Sequence, residues 1–215
     1  MSEVNAPARR YHSPRRREQA AATRDAILAA AHEMFVTEGY ARTTVADIGR
    51  RAGVAVDTIY AAVGRKPDLL RAVVESAISG TGQAVPAEER DYVRRLRRAA
   101  TAAEKISIYA DALVRIQPRL APVYAALRDA AVTDGDCDAL WKQISERRAA
   151  NMRKFIDDLA STGELRNDRP AAELADVVWS MNGPEYWLLL VDQRGWTPAQ
   201  FAAWLADAWG RLLLE

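Results

Sequence analysis

Residues 44–60 read TVADIGRRAGVAVDTIY, and the fold is legible outward from this stretch. Thr44 stands three residues before Asp47, the spacing of a capping box with Asp in place of the usual Glu. A short helix is therefore expected over 45–52. Gly53 follows, free to take positive φ. A second short helix is expected over 55–62, closed by Gly64. Ile48, Ala52, Val54 and Ile59 would hold the pair together, with small Ala52 letting the helices approach. Two short helices joined by a Gly-containing turn pack at a steep angle. In such a helix-turn-helix the first helix crosses a DNA backbone and the second lies in the major groove.

The flanks extend the pattern. A helix is expected over 15–37, with Ile27, Leu28, Ala31, Met34 and Phe35 on one face and Gly39 as its stop. Pro67 suits the first turn of a fourth helix, where its missing N–H would be unpaired anyway. That helix fades at Gly80-Thr81-Gly82, and 80–86 reads as a seam. Beyond it the apolar residues keep a helical period, so the fold class is all-α. Helices are expected over 86–100 and 103–116, then a break bracketed by Pro118 and Pro122, then a helix to 132. Others follow over 138–161, from Pro170 to 181, through a break at Asn182-Gly183-Pro184 to 191, and from Thr197-Pro198 to 214. The expected organisation is a disordered basic arm at 1–14, a helix-turn-helix domain at 15–80, and a helical ligand-binding and dimerisation domain at 81–215.

Composition narrows the class. Hydrophobic residues make up 49% of the 215 and charged residues 27%, a globular balance. The formal net charge is +1, but residues 1–70 carry 11 cationic against 8 acidic side chains. Six arginines face Glu3 and Glu18 within 1–24. A basic arm on a near-neutral body points to a polyanion partner at that end, or to a merely solvated tail. Cys137 is the lone cysteine, so no disulfide framework forms within the chain, which fits a reducing cytoplasm. No stretch is apolar enough to span a bilayer, and no apolar segment follows the N-terminal arginines.

The motif resembles the DNA-binding domain of the TetR/AcrR family of regulators. The matching residues are Ile27, Leu28, Ala30, Ala31, Phe35, Gly39 and Tyr40, then Thr43-Thr44-Val45, Asp47-Ile48, Ala52-Gly53-Val54, Thr58-Ile59-Tyr60, Lys66 and Leu69-Leu70. The resemblance implies that Thr44, Tyr60 and Lys66 contact phosphates, with Arg42 beside them. The exposed face of the second short helix would read bases through Ala55, Val56, Asp57 and Thr58. Ala55 stands where the family often has a capping Ser or Thr, and Val63 where it has an aromatic. Ala55 and Val56 lack donors, so they would read thymine methyls or shape, while Asp57 would accept from a cytosine amine or reject wrong sites. Arg15, Arg16 and Arg17 would enter a minor groove or brush phosphates.

The same resemblance implies a homodimer built on the last helices. Phe201, Trp204, Leu205, Ala208 and Leu212 share a stripe, with Trp187 and Leu188 before it; the stripe would pair with its copy or pack within one chain. Two recognition helices would then sit about 34–36 Å apart, or a multiple of the DNA repeat. Candidate cavity residues are Tyr109, Leu113, Tyr124, Trp141, Met152, Phe155, Trp179 and Asn182. Arg148 falls on the stripe of its helix and would pair with a carboxylate, meet an acidic ligand, or snorkel to solvent. No catalytic set, metal site or cofactor motif stands out. Asp134, Asp136 and Asp138 start like a calcium loop, but Ala139 and Ser145 occupy its sixth and twelfth positions. The expected function is a cytoplasmic, ligand-responsive transcriptional regulator, most simply a repressor on a palindromic double-stranded operator, released by a small-molecule effector. A helical enzyme or carrier with a vestigial DNA-binding fold, or an adaptor using the same surface for proteins, would share these helices.

Overall fold

The computed structural model describes residues 14–81 and 85–214. The arm expected at 1–14 lies outside the described residues save for Pro14, as do 82–84 in the seam and Glu215. Ten α-helices are described: α1 (Pro14–Thr37), α2 (Val45–Ala52), α3 (Val56–Ala62), α4 (Lys66–Ser79), α5 (Asp91–Arg98), α6 (Ala102–Ala131), α7 (Gly135–Ala160), α8 (Ala171–Met181), α9 (Pro184–Trp187) and α10 (Pro198–Leu213). Among the described residues the one trace of β-pairing is an isolated bridge between Leu165 and Leu214. No described helix is long and apolar enough to cross a membrane.

The local signals act where they were read. Thr44 caps α2 through a complete capping box with Asp47, and Gly53 ends it at φ 69°. Thr197 caps α10 with Gln200 in the same way. Asn182-Gly183 interrupts α8 and α9, and the chain then runs on as a π-helical segment over Leu188–Gln193. Between 85 and 100 a 3₁₀ turn (Ala87–Glu89) precedes the short α5, in place of one helix over 86–100.

The largest departure is at Pro118 and Pro122. Instead of a break, both sit inside the unbroken 30-residue α6. Each proline removes one helical N–H and crowds the preceding turn. The helix persists because it is the central one: α10, α7, α4, α5, α9 and α1 all pack on it. Tertiary burial outweighs the local penalty of roughly 3 kcal/mol per interior proline.

Two apolar clusters share α6 and α7, and they do not part at residue 80. The first joins α1–α4 to Ile116, Leu120, Val123, Tyr124 and Leu127 of α6 and to Cys137, Leu140 and Ile144 of α7. The second gathers the first half of α6, the second half of α7, and α8–α10.

Candidate nucleic-acid interface and interior cavity

α2 and α3 meet through Ile48 and Ile59, both fully buried. Gly49 allows a close approach: a Cβ there would stand 3.0 Å from the Val54 carbonyl oxygen and 3.6 Å from Ile59 Cδ1. Ala52 is only half-buried at the cluster edge. α1 closes the other side, and Arg24 donates 2.7 Å from Nη1 to the Ala62 carbonyl at the end of α3.

On the outer face, Ala55, Asp57 and Tyr60 are exposed and Val56 and Thr58 half-buried. Tyr60 is 50% accessible, so the ring lies on the surface rather than in the core. Ala55 makes no side-chain cap, which leaves the first amides of α3 to solvent or an anion. The Thr44 hydroxyl donates to Asp47 Oδ2 at 2.5 Å and accepts the Asp47 amide at 3.1 Å. Its proton is therefore committed, and the amides of Val45 and Ala46 are the donors α2 offers an anion. Asp47 is held below the usual carboxylate range, first by the Thr44 hydroxyl and then by Arg50. Arg42 is exposed and bonds the Glu38 carbonyl at 2.7 Å. Arg15, Arg16 and Arg17 are exposed on the first turns of α1.

Lys66 is half-buried, with its ammonium 4.1 Å from the centroid of the Tyr40 ring. Burial pulls its pKa down, and Asp134 partly offsets this. Arg50 and Arg65 add cations to this domain that the sequence reading did not single out. Arg50 pairs with Asp47, and Arg65 reaches Asp68 and Asp136 at 3.9 Å each.

The body holds a half-open cavity of about 120 Å³ between α5, α6 and α7 and the α8–α9 break. Tyr109, Leu113, Tyr124, Arg148, Met152, Phe155 and Asn182 line it. Trp141 and Trp179 do not. Trp141 packs on Tyr124 with ring centroids 4.5 Å apart, and Trp179 donates Nε1 to the Ser145 carbonyl at 3.3 Å. Arg148 neither snorkels nor finds a carboxylate. Nη1 donates to the Tyr124 hydroxyl at 3.2 Å, and Nη2 to Trp179 O at 2.9 Å and Asn182 Oδ1 at 2.6 Å. The Asn182 amide donates in turn to the Tyr109 hydroxyl at 2.8 Å and lies 2.9 Å from Met152 Sδ. Gln117, unremarked in the sequence, lines the cavity and donates Nε2 to the Asn182 carbonyl at 3.0 Å. Burial pushes the Tyr109 and Tyr124 hydroxyls up in pKa, so both are neutral donors or acceptors.

Residues 27–73 match the family of bacterial regulatory proteins, tetR family. The N-terminal domain is a TetR-family domain. Over 62 residues the chain is 42% identical to the HTH-type transcriptional regulator TtgR of Pseudomonas putida, a match covering 29% of this chain and 30% of that protein. Likeness over the whole fold comes from solved structures. The SmeT–triclosan complex superposes with a TM-score of 0.71 at 18% identity, covering 90% of this chain and 92% of that one. FadR of Bacillus subtilis, in complex with stearoyl-CoA, gives 0.69 at 19% identity, covering 85% and 95%. The helical body is thus shared with these proteins in fold.

The TetR-family domain leads through α4 and α6 to the last helices. There the stripe divides. Trp187, Phe201 and Leu205 lie in the chain's own core, at 4%, 0% and 0% accessible. Leu188, Trp204 and Ala208 are half-buried and Leu212 is exposed. Leu189, next to Leu188, is 50% accessible as well.

Proposed function

We propose that this protein is a ligand-responsive, DNA-binding transcriptional regulator that acts as a homodimer on a palindromic operator, most simply as a repressor released by a small molecule. The single observation that supports DNA binding most is the outer face of α2–α3. It carries an uncapped α3 start and a surface tyrosine at Tyr60, within the 27–73 stretch that matches the tetR family, and Arg42, Lys66 and Arg15–Arg17 add cations on the flanking segments. Phosphate contacts fall to the α2 amides, Tyr60, Lys66 and Arg42, while Val56, Asp57 and Thr58 face the bases.

Dimerisation rests on the apolar positions that α10 and its neighbours leave outside the core: Leu188, Leu189, Trp204, Ala208 and Leu212. A two-fold pair doubles the readout of one short motif. Effector response rests on α6, which lines the cavity with Tyr109 and Leu113 and packs Leu120, Val123 and Leu127 against α1 and α4. A ligand that binds better when α6 is displaced would shift the spacing of the two recognition helices. Selection of random duplexes on the purified protein tests the reading. An enriched palindrome with half-sites a DNA turn or a multiple apart is expected, and enrichment of no sequence overturns it.

A further inference from the structure

The guanidinium of Arg148 is poorly matched to its surroundings. It faces a cavity, bonds a phenol, a carbonyl and an amide, and lies 5.8 Å and 5.5 Å from the Tyr124 and Trp179 ring centroids. All these partners are neutral. Among the described residues no carboxylate forms an ion pair with it; Glu185 lies nearby, against Gly183, without bonding it. A half-buried cation whose hydrogen bonds all go to neutral groups, with its nearest carboxylate outside ion-pair distance, keeps donors for an entering anion.

A second, independent atom points into the same chemistry. Gln117 is 1% accessible and lines the cavity, and its Oε1 is buried with no hydrogen-bond partner among the described residues. Its Nε2 is already fixed on the Asn182 carbonyl, so the free atom is an acceptor and calls for a donor. The charge of the wall agrees. Arg90, Arg97, Arg147, Arg148 and Lys154 line the cavity against Glu88 and Asp158. Lys154 neutralises Glu88 at 2.6 Å, and Arg147 is paired with Glu75 at 2.7 Å. Among the lining side chains Arg90, Arg97 and Arg148 then stand against Asp158, with Glu185 near Arg148 just outside the wall. Between these polar points the wall is aromatic and aliphatic, with Tyr109 and Phe155 rings 5.0 Å apart. The volume of about 120 Å³ is near that of a cavity that takes one benzene ring, roughly 150 Å³.

We propose that the cavity selects a one-ring aromatic carboxylate bearing a ring hydroxyl. Its carboxylate meets Arg148, its ring lies among Leu113, Tyr109 and Phe155, and its hydroxyl donates to Gln117 Oε1. This rests on the ligand-responsive reading above and names the effector class for it. Because Arg148 also holds Asn182 and Trp179, the anion would draw on the α8–α9 break as it binds.

Titration calorimetry of the full chain, without DNA, decides the matter. The probes are 2-, 3- and 4-hydroxybenzoate, each with its neutral amide and its cationic benzylamine counterpart, and unsubstituted benzoate. At least one hydroxybenzoate should bind about tenfold tighter than its amide, and more so than its amine. Arg148→Met should erase that preference and Arg148→Lys retain part of it. Gln117→Met should remove the advantage of the hydroxyl over benzoate. Thermal unfolding of each variant confirms that it folds, and the Lys variant keeps the test alive should the Met variant fail to. An amide or amine that binds as well as the acid overturns the anion assignment and leaves a ligand-responsive regulator standing. Binding of none of the probes also overturns it, while duplex selection still judges DNA binding separately.

Discussion

Asp47 makes Thr44 a structural residue first. With its hydroxyl proton given to the carboxylate, Thr44 starts α2 and presents amides rather than its side chain. Thr44→Ala should therefore cost about 1 kcal/mol of stability. Operator affinity should fall with it, which urea unfolding and binding measured side by side will separate. Tyr60 is a different case. Its ring is half exposed, so Tyr60→Phe should leave stability unchanged and weaken binding to every duplex alike, by roughly fivefold for one lost hydrogen bond. Lys66→Ala should lower the salt dependence of binding by about one counterion, read as the slope of log K against log salt. The same lysine lies on Tyr40, so its loss also bares that ring. On the proposed reading Val56 reads bases rather than phosphates, so its substitutions should change which sequence is selected.

At the scale of elements, the α2–α3 crossing and the start of α7 are the informative joints. Gly49→Ala places a methyl against the Val54 carbonyl, a backbone atom that yields little. A cost of about 1–3 kcal/mol is expected, with a tilted recognition helix, read as a lowered Tm and weakened operator binding. Asp134 caps α7 by accepting the Cys137 amide at 3.0 Å and takes the Tyr40 hydroxyl at 3.2 Å, tying the body to the N-terminal domain. These bonds, the Cys137 amide first, hold its carboxyl below the ordinary value of 3.8. A folded-state pKa below the unfolded one means that the stabilisation is complete above that value. It is lost as pH falls through the folded one. Asp134→Ala should cost about 1 kcal/mol near neutrality and little at low pH. Urea midpoints at pH 7 and pH 3 should thus differ less in the variant than in the parent.

For the whole molecule, the two apolar clusters share α6 and α7, so the proposed effector response would pass from the cavity to α1–α4 through these two helices. The proposed dimer face is what remains after the core has taken its share. Leu189→Lys and Leu212→Lys alter surface positions only, so the single chain should stay folded. Sedimentation should then show a monomer, and operator binding should fall steeply, since one motif contacts few bases. A dimer persisting in the double variant would place the interface elsewhere.

The capping box at Thr44, the glycine at Gly53, the Thr197-Pro198 start and the break at Asn182-Gly183 were all legible, because each acts within one turn of chain. Local chemistry of that kind determined the all-α class and the helix-turn-helix. The apolar stripe also determined much of the cavity wall, since Tyr109, Leu113, Met152 and Phe155 fall at helical spacing. Tertiary structure alone decided the rest. Whether Pro118 and Pro122 break a helix depends on six neighbours that bury it, and sequence spacing carries no record of them. Whether Phe201 faces the core or a partner depends on which side of α10 the chain covers. The free acceptor on Gln117 and the neutral hydrogen-bond partners of Arg148 arise where three helices and a break converge, across separations of dozens of residues. A short-range code can specify turns and caps; it cannot state which polar atoms a distant packing leaves unpaired.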